Sequence, residues 1–376
     1  MATRIGIGLL GLGTVGAGVA SILSSPDGRH PLIADLQIAK VAVRDLNRPR
    51  PIELDPSLLT TDPQAVVDDP NVQVVVEVMG GIEPARTLIM RAIAAGKSVV
   101  TANKAVIARH GEEISAAAAA AGVYVLIEAA VGGGIPIIEP LKQSLGGNRI
   151  QRVTGIINGT TNYILTRMAQ EGADYNAVLK DAQDLGYAEA DPAADVDGLD
   201  AADKIAILSG LAFGGPIDRS AISTAGISAL QSRDVDYATQ LDYGVKLLAV
   251  AERVDSPDTS TANSSTSVPL AVSVQPTLVP TDHPLAGVNG VNNAILVEGD
   301  PIGRVMFYGP GAGAGPTASA VVPTSSTSPA SASSMTTTAI STLCWRPAAG
   351  ALATWGRAAP SANATTCGSP PTTPLA

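Results

Sequence analysis

Ile5-Gly6-Ile7-Gly8-Leu9-Leu10-Gly11-Leu12-Gly13-Thr14-Val15-Gly16-Ala17-Gly18-Val19-Ala20 decides the fold. A short apolar run with strand character meets a glycine turn and passes at once into a helix-like run. Gly11 permits the tight turn, Gly13 lets backbone N–H groups approach a pyrophosphate, and Gly16 lets helix and strand pack closely. The helix N-terminus then turns its positive dipole end toward the phosphates, with Thr14 and Val15 beside them. A second apolar run, residues 36–43, arrives where the second strand of such a unit belongs and ends in Arg44-Asp45. An acidic residue there would bind a ribose 2′-hydroxyl, and an arginine a 2′-phosphate. Arg44 therefore tilts the cofactor toward NADP, while Asp45 keeps NAD open.

Outward from this unit the alternation continues. Residues 72–78 read as a buried strand running into the Gly80-Gly81 turn, 86–95 as a helix closed by Gly96, and 98–101 as the next strand. Strands alternating with helices predict an α/β fold with a Rossmann-type, doubly wound parallel sheet, whose ligands bind beyond the carboxyl ends of the strands. Thr101-Ala102-Asn103-Lys104 lies at such an end and makes Lys104 a candidate site lysine. Another strand, 123–127, ends in Glu128-Ala129-Ala130-Val131-Gly132-Gly133-Gly134-Ile135-Pro136, where a carboxylate and freed carbonyls could hold a hard cation. A glycine turn needed only for close packing is the competing reading.

The densest charge lies at residues 191–204, where five carboxylates and Lys204 crowd into a chain that is only 15% charged. Glu189 adds another acid just upstream. Like charges this close repel unless a lysine or a cationic ligand sits among them. Asp200 and Lys204 are spaced i, i+4 on a predicted helix and share a face; a solvated acidic loop is the plain alternative.

Composition narrows the partners. A net charge of −10 over 376 residues argues against nucleic acid and anionic membranes. The N-terminal stretch lacks the features of a secretory signal, no apolar run has the length of a membrane span, and the two cysteines, Cys344 and Cys367, form no metal or disulfide framework. A cytoplasmic setting is the expectation.

The glycine turn, the 101–104 loop, the 128–136 turn, Gly155-Ile156-Ile157-Asn158-Gly159-Thr160-Thr161-Asn162-Tyr163-Ile164-Leu165 and the 186–204 segment occur in an order that resembles homoserine dehydrogenases, over about residues 1–322. The resemblance implies reversible, NAD(P)-dependent reduction of L-aspartate 4-semialdehyde to L-homoserine, in threonine, methionine and isoleucine biosynthesis. It implies Glu189 and Asp195 as substrate-binding carboxylates, Lys104 and Lys204 as the lysines facing the reacting oxygen, and Asp200 as the carboxylate beside Lys204. The proton donor stays open between the two lysines. Gly11, Gly13, Thr14, Val15, Gly16, Arg44, Gly80, Lys104 and Gly313 become the cofactor contacts. Sodium or another alkali ion is implied on Glu128 and the carbonyls of Val131, Gly133 and Ile135. His30, His110 and His283 match no site position.

The resemblance further implies residues 1–150 as the NAD(P)-binding domain, 151–304 as an α+β substrate and dimerisation domain of a homodimer, and 305–322 as a segment returning to the cofactor. Within the second domain, residues 255–268 read as a long surface hairpin loop. From 323 to 376 the chain turns rich in Ser, Thr, Ala and Pro, where family members continue a helix and many add an ACT-type regulatory domain. That abrupt change predicts a disordered, frameshifted remnant, and an NADP-binding but catalytically impaired copy is the alternative function. A different NADP-linked enzyme of similar layout, such as aspartate-semialdehyde dehydrogenase or dihydrodipicolinate reductase, would share the glycine turn, and the first would need a nucleophilic cysteine that the body of the chain lacks.

Overall fold

The structure is a computed structural model that describes residues 4–215, 217–254 and 269–326. The expectations for the 255–268 loop, for the tail beyond 326 and for Cys344 and Cys367 lie outside the described residues.

The first sheet is parallel throughout. Its strands β1 (Ile5–Leu10), β2 (Leu36–Ala42), β3 (Leu59–Thr60), β4 (Val74–Glu77), β5 (Ser98–Thr101) and β6 (Val125–Leu126) lie in the order β3-β2-β1-β4-β5-β6. The order reverses between β1 and β4, which opens a crevice at their carboxyl ends. β1 and β4 are buried on both faces, as helix-covered parallel strands must be. The connecting helices are α1 (Thr14–Ser24), α2 (Pro63–Val67), α3 (Ala85–Ala94) and α4 (Lys104–Ala121).

The second sheet begins with β7 (Arg149–Ile156), which feeds α5 (Gly159–Glu171) and α6 (Tyr175–Asp184). After a short turn of helix, α7 (Ala193–Val196), come α8 (Leu199–Phe213), β8 (Ser223–Thr224), α9 (Ser232–Gln240), β9 (Tyr243–Arg253), β10 (Leu270–Pro280), β11 (Asn292–Asp300), β12 (Gly303–Pro310) and α10 (Ala314–Ser326). The sheet order is β12-β11-β7-β9-β10-β8, antiparallel except for the parallel β8–β10 pair. Helices α5, α8 and α9 cover one face. Ile164, Leu165, Ile205 and Leu208 bury there against Val153, Ala249 and Ile295. Each fully buried aliphatic side chain contributes about 1.5–3 kcal/mol before entropy is counted.

Two details position the site. Residues 305–310, read as part of a returning segment, are still strand β12, and the chain leaves the sheet only at Gly311. The return is then made by α10, which crosses α1 so closely that a Cβ on Gly18 would lie 2.5 Å from the Ala314 carbonyl oxygen. Ala318, Val321 and Val322 bury against Ile7, Leu9 and Val19, so α10 completes the core of the first sheet. It runs through Pro323 to Ser326, beyond the point at Val322 where the sequence suggests a break.

Candidate active site

The glycine turn takes the geometry its sequence predicts. Gly11 has φ +104°, a left-handed conformation that side chains resist. A Cβ on Gly16 would lie 2.2 Å from the Gly11 carbonyl oxygen, so only glycine lets α1 begin this close to β1. Gly13 faces open space, with nothing within 4 Å of a notional Cβ, and it caps α1 through its backbone without a side chain. The first-turn N–H groups, with the exposed Thr14 and half-buried Val15, therefore face open space, as an anion site at a helix N-terminus requires. Gly80, at φ +76° just past β4, and Gly313, at φ +116° just before α10, keep open backbone nearby. Arg44 lies two residues beyond β2, exposed, and makes no hydrogen bond or ion pair among the described residues.

Lys104 is the first residue of α4, and the turn before it is tightly specified. Thr101 donates to the buried Glu77 carboxylate at 2.7 Å, which ties the ends of β5 and β4 together. Asn103 accepts from the Val106 N–H at 3.3 Å as helix cap and donates to the Gly81 carbonyl at 2.7 Å. The Lys104 ammonium then projects onto α8, where it meets Asp200 Oδ1 at 2.9 Å.

Asp200 is the hub. Its Oδ2 accepts from Lys204 at 2.7 Å, one helical turn along, and from Asn158 Nδ2 at 2.9 Å. Asn158 Nδ2 also donates to Asp195 Oδ1 at 2.7 Å. Lys204 donates a second bond, at 2.7 Å, to the Ile157 carbonyl at the end of β7. Lys104, Asp195, Asp200 and Lys204 thus converge from α4, α7 and α8, with Asn158 among them. Burial alone would raise the Asp200 carboxyl, but Lys204 and Lys104 outweigh it and hold the group well below the usual carboxylate range. For Lys104 burial pulls down, and Asp200, with help from Asp195 and Asp203, more than offsets it to leave the ammonium firmly charged. Asp195 goes the other way: burial pushes its carboxyl up, against the Asn158 hydrogen bond and with the Asp200 charge adding to the rise.

Two arginines extend the charge pattern. Asp203, on α8, pairs with Arg219 at 2.7 Å and with Arg109 of α4 at 3.5 Å. Glu189 stands apart from the hub: it is exposed, and its carboxylate has no hydrogen bond or ion pair among the described residues. Its loop is nonetheless anchored to α5, because Thr160 donates to the Tyr187 carbonyl at 2.7 Å and the Tyr163 and Tyr187 rings meet edge to face at 5.1 Å. A cavity of about 880 Å³ lies between α4 and α8, walled by side chains such as Ile107, Ile114, Ile207 and Leu211, and none of the hub side chains lines it.

The Glu128 turn offers hard oxygen ligands. Glu128 is buried, and its oxygens accept from the N–H groups of Ile137, Ile138 and Glu139 at 2.7, 2.9 and 2.8 Å. Burial still pushes its carboxyl up despite those donors, as for an anion short of countercharge. Among the described residues no backbone hydrogen bond ends on the carbonyls of Val131, Gly133 or Ile135, although Val131 and Ile135 are fully buried. That donor set suits an alkali cation. The turn also abuts the joint between the sheets: Gly134 N–H donates to the Pro310 carbonyl at 3.1 Å, and a Cβ on Gly133 would lie 2.4 Å from the Gly311 oxygen.

In the sequence Asn158 stands only as one member of the 155–165 motif. An Asn before a helix signals a cap, which it is for α5, but nothing local shows that its amide bridges carboxylates 37 and 42 residues away.

Two family models match the chain in succession. The family model "Homoserine dehydrogenase, NAD binding domain" matches residues 11–128, and "Homoserine dehydrogenase" matches residues 136–323. A homoserine dehydrogenase of Synechocystis sp. is 61% identical over 316 residues, covering 84% of this chain and 71% of its own. One from Bacillus subtilis is 45% identical and covers 85% and 71%. Among solved structures, a homoserine dehydrogenase from Thiobacillus denitrificans superposes with a TM-score of 0.78 at 47% identity, covering 86% of this chain and 73% of its own. A hyperthermophilic archaeal homoserine dehydrogenase in complex with NADPH gives 0.68 at 27% identity, covering 85% and 96%.

Proposed function

The chain belongs to the homoserine dehydrogenase family of oxidoreductases, and from that premise we infer which of its groups carry the interconversion of L-aspartate 4-semialdehyde and L-homoserine. The observation that carries the assignment is the Asp200 carboxylate shared by Lys104 and Lys204.

Lys204 is the proton donor. Its ammonium has three N–H bonds, two of which are spent on Asp200 and the Ile157 carbonyl. The third is left for the substrate oxygen, held in place by two short contacts. The nicotinamide cofactor, when bound, supplies the hydride that reaches the aldehyde carbon. As charge develops on the oxygen, Lys204 hands over its proton and is re-protonated from water, so the aldehyde gains one hydride and one proton. Asp200 keeps Lys204 oriented until that moment. Lys104, with 38% of its side chain exposed against 12% for Lys204, faces the open side, where it polarises the carbonyl and steadies the nicotinamide end. Asp195 and Glu189 receive the substrate ammonium, Asp195 from within the hub and Glu189 from the exposed loop anchored on α5.

NADP is the preferred cofactor in this reading. The exposed, unpaired Arg44 at the end of β2 suits a 2′-phosphate, and the archaeal relative holds NADPH. Gly11, Gly13, Thr14, Val15 and Gly16 take the pyrophosphate, with Gly80 and Gly313 bordering the dinucleotide. Sodium or a similar ion binds Glu128 and the carbonyls of Val131, Gly133 and Ile135. There it braces the joint between an NAD(P)-binding unit of residues 1–150 and a substrate unit of residues 151–304. A homodimer through the second sheet is supported by its edge strand β12, which leaves Met306 and Tyr308 exposed. No helix among the described residues is long and apolar enough to cross a membrane, and cytoplasmic residence fits the biosynthetic role. The alternative of cofactor binding without turnover is not favoured by relatives this similar.

The division of labour between the lysines is tested by comparing Lys104→Ala and Lys204→Ala. Lys204→Ala should bind NADPH normally and lose at least a hundredfold in kcat. Lys104→Ala should weaken cofactor or substrate binding as well. A Lys204→Ala enzyme with undiminished kcat would give the donor role to another group.

A further inference from the structure

We propose that Asn158 is a positioning residue for the reaction: its side-chain amide fixes the substrate-binding Asp195 and the lysine-orienting Asp200 at a set spacing and holds both as hydrogen-bond acceptors. The inference rests on the roles assigned above to Asp195, Asp200 and Lys204, and concerns what places them.

Every hydrogen-bonding valence of this side chain is used, and the residue is buried, at 5% exposure. Its two N–H bonds go to Asp195 Oδ1 at 2.7 Å and Asp200 Oδ2 at 2.9 Å. Its oxygen accepts from the Thr161 N–H at 2.9 Å and, shared with the Asn158 main-chain carbonyl at 3.2 Å, from the Thr161 hydroxyl at 3.0 Å. An amide has two donors and two acceptor lone pairs, so the set is complete. The backbone N–H of Thr161 can only donate, which fixes the oxygen on that side and the NH₂ on the carboxylate side. A flipped amide would set an oxygen against two carboxylates.

The same turn serves the catalytic lysine. Ile157, immediately before, gives its carbonyl to Lys204 at 2.7 Å. The 157–158 pair therefore contacts the proton donor through the main chain and two site carboxylates through the side chain. The N-terminus of α5, thirteen residues long, adds a favourable field for the same anions. The charged groups facing the amide and its carboxylates are Asp195 on α7, Asp200, Asp203 and Lys204 on α8, and Lys104 on α4. Without the amide, two carboxylates would face each other with the lysines bound to only one of them, and Asp195 would protonate more readily.

Substitutions separate positioning from simple support of the fold. Asn158→Ser keeps an oxygen able to cap α5 but loses both amide N–H donors, and its single O–H can serve at most one carboxylate. Asn158→Asp keeps shape and cap while replacing the donors with a third acid. Each is compared with the wild-type full chain for melting temperature, NADPH affinity by fluorescence, and the pH profile of homoserine oxidation. For Asn158→Ser we expect a melting temperature within a few degrees of wild type and unchanged NADPH affinity. Its KM for homoserine should rise about tenfold or more, and the acid limb of kcat/KM should move to higher pH. Asn158→Asp should lose more at neutral pH and regain part of its activity as pH falls, because a protonated acid can again donate to one neighbour.

Wild-type KM and an unmoved acid limb in Asn158→Ser would overturn the proposal. If Asn158→Ser does not fold, Asn158→Asp decides, and loss of activity with no recovery at lower pH overturns it equally. Full activity in Lys204→Ala would instead defeat the catalytic assignment on which the inference rests, and that control is read separately from the Asn158 variants.

Discussion

Replacing Asp200 with Asn should damage stability and turnover together, and the two losses have different sizes. Asp200 is 8% exposed and stands between two ammonium groups at 2.7 and 2.9 Å. Asn is nearly isosteric, so the change removes charge with little change of shape. Removing one partner from a buried ion pair costs about 3–5 kcal/mol, because the remaining charge is left uncompensated. Lys104 can withdraw toward water, with 38% of its side chain exposed, but Lys204, at 12%, cannot. The lower end, about 3 kcal/mol, is therefore the expected cost. With a urea slope of about 2–3 kcal/mol per molar, the unfolding midpoint should fall by roughly 1–1.5 M.

The effect has a defined pH sense. The folded-state pKa of Asp200 is depressed, so its contribution is fully present above the unfolded value of about 3.9 and is lost as pH falls through the lower folded value. The stability gap between wild type and Asp200→Asn should thus stay constant across neutral pH and close only in strong acid. Turnover should fall at least a hundredfold, since Lys204 loses the carboxylate that orients it. The assay is urea unfolding at pH 7 and pH 4 beside homoserine-dependent reduction of NADP. An Asp200→Asn protein with an unchanged urea midpoint would refute the claim that this buried carboxylate neutralises the two lysines.

Three further outcomes follow from separate parts of the molecule. Gly13→Ala should leave the melting temperature unchanged, because its Cβ enters open space, yet weaken NADPH binding by about tenfold or more; Gly16→Ala should lower both, since its Cβ lies 2.2 Å from the Gly11 oxygen. Equal effects of the two substitutions, measured by thermal melts and NADPH fluorescence, would contradict the reading of the turn. Lys246, 4% exposed on β9 and held among the described residues by the oxygens of Asn162, Val288 and Asn289, has its pKa pushed down to about 8 by burial. Between about pH 8 and 10.5 the unfolded chain keeps a proton that the folded chain has lost, so this group should raise stability with pH by up to about 3 kcal/mol. Across that range the urea midpoint of wild type should rise relative to that of Lys246→Met, and parallel pH profiles would count against it. Sodium chloride, compared with choline chloride at equal ionic strength, should stabilise the wild type by about 1–3 kcal/mol and should not stabilise Glu128→Gln; the same salt response in both would remove Glu128 from the cation site.

Local features of the chain were readable and distant pairings were not. The glycine turn could be read because its constraints are local: Gly11 needs a positive φ and Gly16 a missing Cβ, and both needs are written within six residues. The Asp200–Lys204 contact was likewise local, since i, i+4 spacing puts both on one helix face. The Lys104–Asp200 contact depends on how α4 docks against α8, and no periodicity encodes that. Strand β12 was obscured for a different reason. Its Val305-Met306-Phe307-Tyr308 run is short and passes directly into Gly309-Pro310-Gly311, so the glycines dominated the reading, whereas pairing with β11 decides the conformation. Asn158 shows the limit most clearly: its capping role is written in the adjacent residues, and its bridging role exists only after α7 and α8 arrive.

The most direct test of the account is steady-state formation of NADPH from NADP and L-homoserine by the purified full chain, beside its Lys204→Ala variant with NADPH binding verified. The account predicts sustained turnover by the wild type and at least a hundredfold less by a variant that still binds cofactor. A folded, NADPH-binding wild type that forms no NADPH from homoserine, or a Lys204→Ala variant that forms it as fast as wild type, would contradict it.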